Sequence, residues 1–199
     1  MGHPAFDNAD FLDAALALAS EHGPAGVTVA AISARLQAPT GSFYHRFASR
    51  DLLLAELWFR TVMKFQEGVA AAIDAGEGLR AALHTPRWVR AHLDEGRLLL
   101  LHHRDDFVQG EWPEAFREKL AEQARGGQER LRKFARDTLG RAGSADLRRA
   151  RFLLSEVPVA AVRQHLIRRE KPPALVDDLI RTTFEAVVAR YRVVKAPPT

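Results

Sequence analysis

Residues 40 to 47 read TGSFYHRF, which sets two hydroxyls, a glycine, a phenol and an imidazole around two phenylalanines. Thr40 can hydrogen-bond base edges, Gly41 permits close backbone approach, and Tyr44 and His45 can donate to phosphate oxygens. Phe43 and Phe47 stand four residues apart and share one face of a short helix, so Thr40, Gly41, Ser42, Tyr44 and His45 look outward. Thr28 and Arg50, at the starts of the neighbouring helices, would bracket a groove with phosphate contacts. This is chemistry suited to a surface pressed against a DNA duplex.

Other chemistries find less support. The run LLLLHHRDDF, residues 98 to 107, places His102 and Asp106 four apart with His103 adjacent. Consecutive histidines point about 100° apart on a helix and rarely serve one ion, so a solvated helix end after a buried leucine run is expected, with no metal and no cofactor. The chain has no cysteine, which excludes disulfides, thiol catalysis and Cys-containing zinc sites. Carboxylates and histidines are scattered over expected solvent faces, serines fall at caps, and no Gly-rich phosphate loop or Ser-His-Asp spacing occurs. No enzyme is expected.

The elements that must position these residues are helices, since apolar residues recur at helical spacing and no segment alternates as a strand would. A first helix is expected from Asp10 to His22, with Leu12, Ala15, Leu16 and Ala19 inward, ended by Gly23 and Pro24. Thr28 caps a second from Val29 to Leu36, with Val29, Ile32 and Leu36 inward. The third spans Thr40 to Phe47. Ser49 caps a fourth that reaches Asp74, with Asp51 in its first turn where a negative charge suits the helix dipole. Breaks are expected at Pro86, near Gly96 and at QGEWP, where Pro113 is placed as a first-turn proline. A long polar-faced helix then runs from Pro113 to Gly140. Helices from Ala145 to Arg169 and from Pro173 to Val193 close the chain, with Ser144 as the first one's cap and Pro158 as its kink.

Three short helices with a tight turn between the second and third make a helix-turn-helix, whose last member enters the major groove. The string VTVAAISARLQAPTGSFYHRFASRDLLLAEL, residues 27 to 57, resembles the TetR family of bacterial transcriptional regulators. Their motif typically ends G-[ST]-[LF]-Y-x-[HY]-F-x-[ST]-[KR]-x-x-L. The resemblance covers about residues 9 to 57. It implies an all-α fold, with a helix-turn-helix DNA-binding domain over 1–48 and a helical effector-binding and dimerisation domain over 49–199. It also implies a homodimer on a palindromic double-stranded DNA operator, probed by a small-molecule effector that releases it. By motif position, base contacts fall to Thr40 and Gly41, with Ala30 as a further one, and phosphate contacts to Thr28, Ser42, Tyr44, His45 and Arg50.

Two departures bear on that reading. Gln37 holds the turn position where the family usually has glycine, which requires either a left-handed glutamine or a different turn. The arm MGHPAFDNAD is acidic where many members carry arginines. Net charge is +4 overall and arginine accounts for 24 of 29 basic residues. Yet residues 1–48 hold only Arg35 and Arg46 against Asp7, Asp10, Asp13 and Glu21, a net −2 that leaves +6 for the rest. DNA binding would therefore use local contacts rather than a basic surface, with weak non-specific affinity. The alternative is a helical small-molecule-binding protein with weakened or lost DNA binding.

The C-terminal part offers paired stripes. Leu147, Leu154 and Ala161 recur every seven residues, with Ala150 and Val157 between them. The last helix carries Leu175, Leu179, Thr182 and Ala186 beside Val176, Ile180, Val187 and Tyr191. One stripe of each pair should pack inside and the other across a two-fold in a four-helix interface, although periodicity also allows both as core. Trp58, Phe59, Met63, Trp88, His92, His103, Phe107, Trp112 and Phe116 either line an apolar cavity or fill plain core. No run reaches the roughly 18 apolar residues of a membrane span, and the N-terminus lacks a signal peptide's pattern, so a cytoplasmic protein is expected.

Overall fold

The computed structural model describes residues 6–108 and 114–192, excepting the side chains of 114, 115 and 120. Among the described residues all regular elements are helical. They are α1 (Asn8–His22), a 3-10 turn (Pro24–Gly26), α2 (Val29–Leu36), α3 (Thr40–Tyr44), α4 (Arg50–Asp74), α5 (Gly78–Ala82), α6 (His84–Ala91), α7 (Leu93–Leu101), α8 (Arg104–Phe107), α9 (Glu114–Leu139), α10 (Ser144–Arg151), a π-helical turn (Phe152–Glu156), α11 (Val157–Ile167) and α12 (Leu175–Tyr191).

By packing, the chain divides into two units: the described residues of Met1–Lys64 with His92–Trp112, and those of Phe65–Ala91 with Pro113–Thr199. This division differs from a cut after residue 48. Leu53, Leu57 and Trp58 of α4, Leu98 of α7 and Phe107 of α8 share one core with Phe11, Ile32, Phe43 and Phe47. A three-helix segment of under 50 residues buries too little surface to stand well alone, and these additional apolar side chains enlarge its core.

Capping chemistry sets the boundaries of the first unit. Asp7 and Asp10 cap α1 reciprocally, Asp10 N–H donating to Asp7 Oδ1 at 3.0 Å and Asp7 N–H to Asp10 Oδ2 at 2.8 Å. Thr28 Oγ1 accepts from Ala31 N–H at 3.0 Å, which starts α2 where the sequence places it. Gln37 ends α2 in the left-handed region at φ 54°, ψ 35°, its N–H bonded to the Ser33 and Ala34 carbonyls. The first of the two turn solutions is thus the one adopted. Ser49 Oγ accepts from Leu52 N–H at 3.1 Å at the start of α4. The third helix ends at Tyr44 rather than Phe47, because Phe47 is kept inward by a turn that follows α3. Gly96, expected as a break, is buried within α7, and the break falls at His92.

In the second unit Pro86 lies inside α6 near its start, and the interruption comes one turn earlier, at Leu83. The N-cap of α10 is Gly143 rather than Ser144: Gly143 N–H donates to Asp146 Oδ2 at 3.2 Å, and the buried Asp146 carboxylate also takes Arg141 and Arg149. Pro158 has no N–H, and its ring would strike the Leu154 carbonyl in a regular helix. The chain widens one turn instead, so that Val157 N–H reaches Phe152 O five residues back and the helix continues as α11 with Pro158 buried. Arg90 meets Asp177 with two bonds of 2.8 and 2.7 Å and the Pro172 carbonyl at 3.3 Å, which fixes the start of α12 to α6. Pro113 and Val193, expected at helix ends, lie outside the described residues.

A candidate nucleic-acid interface

Five residues cannot sustain a helix in water, so α3 depends on what it packs against. Phe11, Phe43 and Phe47 are fully buried and form a triangle with ring centroids 6.0, 6.2 and 5.7 Å apart. Each buried ring contributes up to about 3 kcal/mol, and edge-to-face geometry adds to it. Ala38 N–H donates to Ser33 O at 3.0 Å and ties the turn to α2. The outer face of α3 is fixed in consequence.

That face carries Thr40, Gly41, Tyr44 and His45 exposed and Ser42 half-buried. Tyr44 is 60% exposed, and its ring rests edge-on against Phe43 at 5.3 Å, which directs the phenol outward. A Cβ built on Gly41 would meet nothing within 4 Å, so the fold itself does not require glycine there. Thr28 and Ala30 are exposed on the first turn of α2. The Thr28 hydroxyl accepts a bond from Ala31 and keeps its own proton for another acceptor.

The arginines of this unit's N-terminal part are spent internally. Arg35 forms two bonds of 3.0 Å with Glu21, and the hydrogen bond to that carboxylate raises the guanidinium's already high pKa; burial opposes the rise, and the charges of Glu21 and Asp94 add to it. Arg46 donates to Ser42 O at 3.1 Å and lies 5.6 Å over the Phe11 ring. Arg50 turns inward: Nε donates to Val27 O, one Nη to Pro24 O at 2.6 Å, the other to Asp51 Oδ1 at 3.1 Å. Nothing in the sequence forecast this, because the acceptors are backbone carbonyls.

The nine residues considered for an effector pocket are divided between the two units. Trp58, Phe59, Met63, His92, His103 and Phe107 fall in one unit, Trp88 and Phe116 in the other. Phe107 is buried against Trp58 at 5.2 Å, and Trp88 is buried edge-on to Phe65 at 5.1 Å. Both fill core. Met63 is exposed, Phe59, His92 and Phe116 are half-buried, and His103 caps α8 in solvent. Trp112 lies outside the described residues. The second unit holds an open cleft of about 330 Å³ lined by Asp74, Gly126, Glu129, Arg130, Lys133 and Arg136, none of them among the nine. At HHRDD, His102 is outside any helix and Asp106 Oδ2 accepts from His103 N–H at 2.8 Å. No group of three metal-ligating side chains occurs among the described residues.

The stripes separate more clearly. On α12, Val176, Ile180 and Phe184 are buried, while Leu175 at 62%, Leu179 at 57%, Thr182 and Ala186 are exposed. Leu147, Leu154, Val157 and Ala161 are all half-buried. The exposed apolar side chains beside them are Phe152, at the start of the π-helical turn, and Ile167, at the end of α11, neither of which belongs to the expected stripes.

Residues 11–57 match the family model described as bacterial regulatory proteins, tetR family. No curated protein matches the chain in sequence. Among solved structures, a putative tetR family transcription regulator from a Shewanella species is 17% identical with a TM-score of 0.67, over 94% of this chain and 98% of that one. A transcriptional regulator from a Rhodococcus species is 18% identical with a TM-score of 0.66, over 95% of this chain and all of that one. The multidrug binding protein EbrR, solved with imidazole, is 22% identical with a TM-score of 0.56, over 95% and 91%. At such identities the likeness is one of fold.

Proposed function

We propose that this chain, which carries the N-terminal domain of the tetR family within a TetR-like fold, is a cytoplasmic homodimeric repressor of transcription. It binds a palindromic operator through Thr28, Ala30 and the outer face of α3 and is released by a small-molecule effector. The observation that carries this reading is the division of labour on α3. Phe43 and Phe47 are wholly buried, while Thr40, Gly41, Tyr44 and His45 are exposed. The dimer is supported by the exposed apolar row on α12, of the kind a second copy would cover. The effector is supported by the fold's likeness to EbrR, solved with a small molecule.

The internally bonded arginines favour a second reading, a small-molecule-binding protein whose DNA binding is weakened or lost. Selection of duplexes from a random pool, followed by titration of the enriched sequence, separates the two. Enrichment of a palindrome bound by two protomers supports the repressor; a pool that never departs from random supports the other.

A further inference from the structure

We propose that Arg50 is a positioning residue for DNA recognition rather than a phosphate contact, holding the entry to α2, and so Thr28 and the first N–H groups of that helix, onto the first turn of α4. The inference rests on the DNA-binding reading above.

The start of α2 is held by the Thr28 cap, by the buried Val27 and by packing on α1, and Arg50 adds a tie to α4. Eight residues are too few for a stable isolated helix, and the turn before it is closed only by backbone bonds: Gly26 N–H to Gly23 O, Val27 N–H to Pro24 O, and Thr28 N–H to Gly26 O. Arg50 reaches back across this turn to two of its carbonyls. The Pro24 carbonyl already accepts from Val27 N–H, so the guanidinium closes a ring around the 3-10 turn. The Val27 carbonyl belongs to the peptide whose other half is the Thr28 N–H, so the bond from Nε fixes the plane from which Thr28 departs. Val27 is itself fully buried, which anchors the residue just before that plane. Asp51 holds the remaining Nη group from the side.

A guanidinium does this because its donors lie in a rigid planar fork. An ammonium could neutralise a phosphate equally well, but one nitrogen cannot serve two carbonyls and a carboxylate in that geometry. Where Phe43 and Phe47 orient α3, Arg50 orients the start of α2.

The test uses the full-length protein, a duplex enriched from a random pool by the wild type, and the variants Arg50→Lys and Arg50→Gln. Affinity is followed against salt, and amide exchange over residues 24 to 31 is followed without DNA. We expect both variants to bind at least about tenfold more weakly at every salt concentration, as mispositioned contacts do. The slope of log K against log salt stays that of the wild type. Exchange over 24 to 31 accelerates while the core amides of α1 keep their protection. Wild-type affinity in Arg50→Lys would overturn the proposal. So would unchanged exchange, or a slope about 0.9 shallower in Arg50→Gln, the mark of one lost ionic phosphate contact. Should Arg50→Gln fail to fold, Arg50→Lys keeps the stem and charge and decides alone. If the wild type enriches no duplex, the DNA-binding reading fails by itself, and the exchange measurement still judges the clamp.

Discussion

Tyr44 and Gly41 are the residues on which DNA recognition and stability come apart. Tyr44→Ala removes a mostly exposed ring that meets Phe43 edge-to-face, so it should cost under about 1 kcal/mol of stability. It should weaken duplex binding roughly 30-fold. Gly41→Ala adds a methyl group that touches nothing in the protein, so stability should hold or rise by up to about 1 kcal/mol, while affinity falls roughly tenfold as the backbone is held off the bases. Unaltered affinity in both variants would remove α3 from the interface. His102 supplies a different test. Burial pushes its imidazole below the usual range, Asp106 pulls the other way, and Arg97 and His103 add to the lowering. Its ring stacks edge-on to Phe107 at 5.8 Å. A histidine with a depressed folded value leaves the unfolded chain to take up the proton first. Its contribution is therefore whole above about pH 6.5 and is lost as pH falls through the folded value. The thermal midpoint should drop between about pH 7 and pH 5, and His102→Gln should flatten that drop. An identical pH profile in the variant would contradict the assignment.

At the scale of elements, what the sequence makes legible is what side-chain chemistry marks. Thr28, Gln37 and Ser49 each sit where a cap or a left-handed turn is needed, and the helices they bound start or stop there. Phe47 misled because helical spacing also fits a turn that keeps the same ring inward. Gly96 misled because a glycine buried inside a helix carries the same letter as one that ends it. Pro158 is expected to kink its helix, and the chain widens one turn instead, because the sequence does not say which of the two a proline brings about. The Arg50 clamp left no mark, since its partners are main-chain carbonyls. The outward set on α3 was legible because two phenylalanines fixed which face was inside.

For the whole molecule, the exposed row on α12 leads to a prediction about assembly. Leu175 and Leu179 are each more than half exposed on a helix whose other face, Val176, Ile180 and Phe184, is core. Leu179→Glu leaves that core alone, so the variant should stay folded. A charge set into an apolar two-fold contact is desolvated without a partner in each copy. Sedimentation should show the wild type as a dimer and the variant as a monomer, with operator affinity lost alongside the second half-site. A variant that remains dimeric would move the interface elsewhere on the second unit. No helix among the described residues is long and apolar enough to cross a membrane.

The measurement that bears most directly on the account is fluorescence anisotropy of the full-length protein against a duplex enriched from a random pool, with competitor DNA present and salt varied. Arg35, Arg46 and Arg50 are engaged within the protein. The outward face carries hydroxyls, a phenol, an imidazole and a glycine, and no lysine or arginine. The account therefore predicts saturable, sequence-selective binding at two protomers per duplex. Its salt slope should be well below the roughly 5 to 9 expected of a protein that neutralises 6 to 10 phosphates. Binding with a steep slope and no sequence preference would contradict it, as would a pool from which no duplex is enriched.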